Sequence, residues 1–132
     1  MNTDNINKEP MSIEKDVLNE TIIGCTFKVS NTLGTGFLEK GYENALAIEI
    51  KSSGINCEQQ KPISVTYRGV MVGDYYADIL LDGQVIIEIK AAKAFEDVHK
   101  AQLINYLKAT GIHRGLLLNF GTPKLGILRL VF

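Results

Sequence analysis

Apolar residues recur along this chain with two periods, and the change from one to the other lays out its elements. Over residues 12–33, Ile13, Val17, Leu18, Ile22, Cys25 and Val29 follow helical spacing. Ser12 suits an N-cap, Glu14 and Asp16 suit the first turn, and the Leu33-Gly34-Thr35-Gly36 stretch ends the helix. A second helix is expected over about 37–53, with Leu38, Tyr42, Ala45, Leu46 and Glu49 on one stripe and Gly54 just past its end. The period then falls to two. Ile63, Val65 and Tyr67 alternate with Ser64 and Thr66, and Pro62 marks an edge strand or a strand start.

An Arg68-Gly69 turn leads into a strand over 70–81. Residues 85–89 are apolar on both faces apart from Glu88, which is the pattern of a central strand. Helical spacing returns over 95–110, where Phe95, Val98, Ala101, Gln102, Tyr106 and Ala109 form one face ahead of Gly111. The runs 115–119 and 125–132 read as two further strands, separated by a Gly121-Thr122-Pro123 turn. The order α-α-β-β-β-α-β-β predicts an α/β fold with a mixed central sheet and helices on both faces. The strands on either side of the third helix form a β-α-β unit and should be parallel.

Composition narrows the partners. At 132 residues, 45% hydrophobic and 22% charged, the chain is an ordinary globular one, read as a single domain over 12–132 after a disordered tail at 1–11. No apolar run approaches the roughly 20 residues of a membrane span, so no membrane partner is expected. The polar start lacks the plan of a signal peptide, which makes a cytoplasmic location the expectation. Cys25 and Cys57 have no metal-type spacing and read as reduced, buried thiols. A net charge of −1 and a pI near 6.1 give no bulk attraction for duplex DNA. Nucleic-acid binding would need a local basic patch, a metal, a homo-oligomer or a partner protein. Lys93, Lys100, Lys108, Lys124 and Arg129 read as a scattered, solvated set, and His99 and His113 as structural or surface residues.

The chemistry concentrates in residues 76–91. Glu88 and Lys90 sit two apart and share a strand face, and Asp78 lies across the Asp82-Gly83 turn. Buried acids are costly unless paired or bound to a metal, so this set reads as a site. Register decides whether the two acids meet. A two-residue turn pairs Leu81 with Gln84 and sends Asp78 and Glu88 to opposite faces. A three-residue loop, Leu81-Asp82-Gly83 with Gly83 left-handed, pairs Leu80 with Gln84. It sets Asp78 opposite Ile86 and diagonal to Glu88. A shared metal therefore requires an odd loop or a bulge. On the second helix, Glu39 and Glu43 are i,i+4 neighbours with Tyr42 close by, and helix pattern alone reads them as a solvated acidic face.

These residues resemble a known family. Gly36-Phe37-Leu38-Glu39-Lys40-Gly41-Tyr42 is similar to the signature of the GxxExxY proteins, and Asp78 with Glu88-Ile89-Lys90 resembles the motif of the PD-(D/E)XK nuclease superfamily. Ala77 stands where the superfamily name has Pro. Gln102 to Tyr106 resembles the QxxxY motif of RecB-like nucleases, and the likeness runs over about residues 13–132. It implies a restriction-endonuclease-like core and metal-dependent hydrolysis of phosphodiester bonds in DNA. Asp78, Glu88 and the Ile89 carbonyl would hold Mg²⁺ or Mn²⁺, and Lys90 would orient or help deprotonate the attacking water. Glu39 or Glu43 would add an outer carboxylate. Gln102, Tyr106 and Tyr42 would contact substrate or support the site. The rival readings are a catalytically quiet nucleic-acid-binding or adaptor module on the same fold, and a structural oligomer.

Overall fold

A computed structural model describes residues 13–132, with side chains from residue 17 onward. The expected N-cap Ser12 and the expected tail lie outside the described residues. The elements are α1 (Ile13–Leu33), α2 (Glu39–Ser52), β1 (Cys57–Tyr67), β2 (Val70–Leu81), β3 (Val85–Lys90), α3 (Asp97–Thr110), β4 (Arg114–Asn119) and β5 (Gly126–Val131). The predicted order holds throughout. Gly34, Gly54 and Gly111 carry φ of 67°, 81° and 73°, the left-handed conformation that glycine adopts without strain where a helix ends.

One five-stranded sheet runs in the order β1-β2-β3-β4-β5. Only β3 and β4 are parallel, as the intervening α3 requires, and the other neighbours are antiparallel. β1 is the edge strand that Pro62 calls for, since proline cannot donate to a second ladder. Each face of the sheet has its own core. Ile79, Leu81, Val85, Ile87 and Ile89 pack with Ile22, Val29, Leu46 and Ile50 of α1 and α2. Leu80, Ile86, Leu117 and Leu130 pack with Leu103, Tyr106 and Leu107 of α3. Cys25 and Cys57 are free and buried. No helix among the described residues is long and apolar enough to cross a membrane.

Two expected stripes are corrected. On α2 the buried residues are Tyr42, Glu43, Leu46, Ala47 and Ile50, while Leu38 is 84% exposed. On α3 they are Leu103, Tyr106 and Leu107, whereas Val98, Ala101 and Ala109 face outward. In both cases the apolar spacing continues past the patch of sheet that the helix actually meets.

The end of β3 is clamped by a buried side chain. Asn119 accepts the Ala92 N–H at 2.9 Å, donates to the Ala92 carbonyl at 2.9 Å, and also accepts the Gly121 N–H at 3.0 Å. A Cβ at Gly121 would run into the Ala92 backbone, so only glycine permits this approach. The segment after Lys90 is thereby fixed to the end of β4. Asn119→Ala should cost about 2 kcal/mol, because two half-buried backbone groups at Ala92 lose their partner. Urea denaturation checks this, and an unchanged midpoint would mean that the clamp is not needed.

Candidate functional site

β2 and β3 pair as Ile79↔Ile87, Leu80↔Ile86 and Leu81↔Val85, and pairing stops there. The loop between them is Asp82-Gly83-Gln84. Asp82 and Gly83 both have positive φ, at 53° and 66°, and the Gln84 N–H closes on the Leu81 carbonyl at 2.8 Å. An odd loop is what a shared face demands, but its position differs from the expectation. Pairing Leu81 with Val85 instead of Leu80 with Gln84 moves Asp78 from opposite Ile86 to opposite Glu88. The cause is Asp82, which takes the left-handed conformation alongside Gly83, leaving Gln84 as the extra residue.

Beyond Ile79 and Ile87 the two strands separate into a fork, and the acids occupy it. The Asp78 N–H donates to Glu88 Oε2 at 2.8 Å, and the Ile89 N–H donates to Asp78 Oδ2 at 2.8 Å. Each carboxylate therefore takes an amide that the broken ladder leaves over, which is the main reason both can stay inside the sheet. Glu88 is buried, and its Oε1 has no protein hydrogen-bond partner among the described residues. Burial, then the Asp78 charge, pushes Glu88 up to about 8, against the opposing pull of the Asp78 N–H and Lys90. Asp78 is raised by burial too, partly offset by the Ile89 N–H.

Lys90 does not pair with either acid. Its ammonium donates to Gln102 Oε1 at 3.2 Å, and Gln102 Nε2 donates to the Tyr106 hydroxyl at 3.0 Å. The i,i+4 spacing on α3 aligns this pair, so Gln102 and Tyr106 brace Lys90. Burial, then the Glu88 charge, raises the Tyr106 hydroxyl above its usual range.

Of the two α2 acids, the structure turns Glu43 inward. It accepts from Gln59 Nε2 at 2.7 Å, Gln60 Nε2 at 2.8 Å and Lys40 Nζ at 3.3 Å. Gln60 Nε2 also reaches Asp78 Oδ1 at 3.3 Å, linking the α2 acid to the fork. Glu39 stands exposed on the first turn of α2, where its charge suits the helix dipole. Tyr42 is corrected from a substrate contact to a core residue. It is fully buried, stacked 4.7 Å from Phe120, and its hydroxyl donates to the Gly34 carbonyl and accepts the Phe37 N–H. The tyrosine thus pins the glycine loop ahead of α2.

Gln59 and Gln60 escaped the sequence reading. Neighbours on a strand point to opposite faces, so only one amide should reach Glu43. A φ of 53° at Gln60 breaks the alternation and brings both to it. The adjacent glutamines ahead of Pro62 were the available signal, but the kink itself was not legible.

The donor set suits a hard divalent cation: two carboxylates, one with a free oxygen, and a backbone carbonyl at hand. Ile89 turns its N–H into the fork, and in an extended strand the carbonyl of the same residue faces the same edge. No three Asp, Glu, His or Cys side chains among the described residues form a closed cage, so water would complete the shell.

The raised acids set the pH dependence of the metal-free protein. A carboxyl lifted from 4.5 to about 8 holds its proton more tightly folded than unfolded. Its stabilising contribution is complete below about pH 4.5 and is lost as pH rises through about 8. Glu88→Gln, which cannot ionise, should flatten the decline and exceed wild type at pH 9. Urea midpoints in EDTA from pH 5 to 9 test this, with a slope for one proton of at most about 1.4 kcal/mol per pH unit. Parallel curves for the two proteins would contradict it.

Comparison with known proteins bears on family and fold. The model of the PD-(D/E)XK nuclease superfamily matches residues 16–130. No curated protein sequence matches. Among solved structures, the crystal structure of SSO0001 has a TM-score of 0.52 at 20% identity, over 88% of this chain and 58% of that one. At that identity the likeness shows the fold alone, and this chain spans little more than half the length of SSO0001. The family model covers most of the chain, from within α1 to β5, and on that match the chain belongs to the PD-(D/E)XK nuclease superfamily.

Proposed function

We propose that the chain is a metal-dependent nuclease that hydrolyses phosphodiester bonds in DNA, with Mg²⁺ or Mn²⁺ as cofactor. We place it among the GxxExxY proteins, with Gln102 and Tyr106 as a QxxxY motif of the RecB-like kind. The observation that carries this reading is the meeting of Asp78 and Glu88 in the fork, with Lys90 two residues past Glu88 on β3.

Asp78, Glu88 and the Ile89 carbonyl hold the ion in this reading. When bound, the ion supplies positive charge that lowers the pKa of water and offsets charge building on the phosphate. The acids are already fixed by backbone amides, so little reorganisation accompanies loading. Lys90 orients the attacking water and stabilises charge on the phosphate, and Gln102 and Tyr106 keep its ammonium in place. Gln60 joins Glu43 to Asp78, which supports Glu43 over Glu39 as the outer carboxylate. The competing reading, a quiet nucleic-acid-binding or adaptor module, draws on the net charge of −1.

Incubation with Mn²⁺ or Mg²⁺ and mixed single- and double-stranded substrates separates the two. Wild type should cleave. Asp78→Ala and Lys90→Ala should lose about 10²- to 10³-fold in rate, and Gln102→Ala about tenfold. A wild type that binds DNA but cleaves nothing across metals and substrates establishes the adaptor instead.

A further inference from the structure

The apolar stripe that spacing assigns to the core face of α3 is left open. Val98 is 64% exposed, and Ala101 and Ala109 are exposed beside it. Facing it is the outer half of the β1–β2 hairpin. β2 pairs with β1 from Val70 onward but with β3 only over 79–81, so this half projects as a two-stranded arm. Arm and helix enclose an open groove of about 750 Å³, walled by Val65 and Val72 on one side and Val98 on the other. Gln102 and Tyr106 also line it, and they are the pair that braces Lys90. The groove therefore ends at the pair that holds the Lys90 ammonium beside the fork.

Tyr75 is held ready within it. A Cβ at Gly73 would lie 2.6 Å from the Tyr75 ring, so the ring folds back over the glycine. Its centroid is 5.9 Å from that of Tyr106, and the residue is 47% exposed. An aromatic face is thus presented to the groove at little entropic cost.

We infer that this groove seats unpaired bases of a single-stranded nucleic acid whose backbone runs on to the fork. The inference rests on the nuclease reading and names its substrate class. Apolar walls and an aromatic ring match base faces, which only a single strand or a frayed end exposes. A duplex presents phosphates, which call for a cationic surface that a chain of net charge −1 does not supply in bulk. A single strand carries phosphates too, and Lys108 on the groove wall supplies a cation beside the stacking surface.

Fluorescence anisotropy in EDTA, where no cleavage occurs, tests the groove with a labelled mixed-sequence strand of roughly 16 nucleotides and its blunt duplex. Tyr75→Ala should weaken single-strand binding about tenfold, the loss of one stacked base. Gly73→Ala, which displaces the ring without removing it, should do likewise, and duplex binding should not change in either. Single-strand binding equal to wild type in both variants overturns the inference. So does light scattering that finds a wild-type dimer and monomeric variants, since a second copy then covers the groove. Cleavage in Mn²⁺, run in parallel, keeps the two readings apart. A wild type that cleaves while both variants bind normally sinks the groove alone. A wild type that cleaves nothing while both variants lose single-strand binding upholds the groove and sinks the nuclease.

Discussion

Two backbone amides at the mouth of a splitting sheet are the constraint on which the rest depends. Where β2 and β3 cease to pair, the Ile89 N–H loses its ladder carbonyl, and the Asp78 N–H, on the β1 side of β2, loses its own where the pairing skips the left-handed Gln60. Each is taken by the carboxylate of the acid on the other strand. The fork and the acids thus require each other. Without the carboxylates the amides would be buried and unpaired, and without the fork the acids would have no donors. Even so, burial, joined by the Asp78 charge at Glu88 and the Glu43 charge at Asp78, leaves both acids holding protons more tightly than usual. A site so short of positive charge favours a cation.

The surrounding structure keeps the fork open and equipped. Asn119 and Gly121 tie the chain beyond Lys90 to the end of β4. The α3 pair Gln102 and Tyr106 draws the Lys90 ammonium away from a collapsed ion pair with the acids. A left-handed Gln60 hands the Glu43 carboxylate to the edge of Asp78. Tyr42 acts at one remove, pinning the loop from which α2 and Glu43 emerge.

The fold was largely legible in the sequence, because its signals are local. Glycines mark the helix ends, the both-faces-apolar run of β3 marks the sheet centre, and Pro62 marks its edge. The convergence of Asp78 with Glu88 was legible through the parity of the hairpin, although the register needed the second left-handed residue, Asp82. What stayed hidden depended on distant geometry. Apolar spacing on α3 cannot say that Val98 and Ala109 stand off from the β1–β2 hairpin across an open groove. Neither can a stripe on α2 say that Glu43 is buried and Glu39 exposed, since glutamines brought in by a kinked strand decide it.

The central claim is that the fork is a cation site, and anomalous scattering from crystals soaked in Mn²⁺ tests it most directly. The account predicts one dominant peak between β2 and β3, at about 2.1 Å from carboxylate oxygens of Asp78 and Glu88 and bordered by the Ile89 carbonyl. A fork without a peak while Mn²⁺ sits elsewhere on the protein, or a peak that ignores either acid, would contradict it.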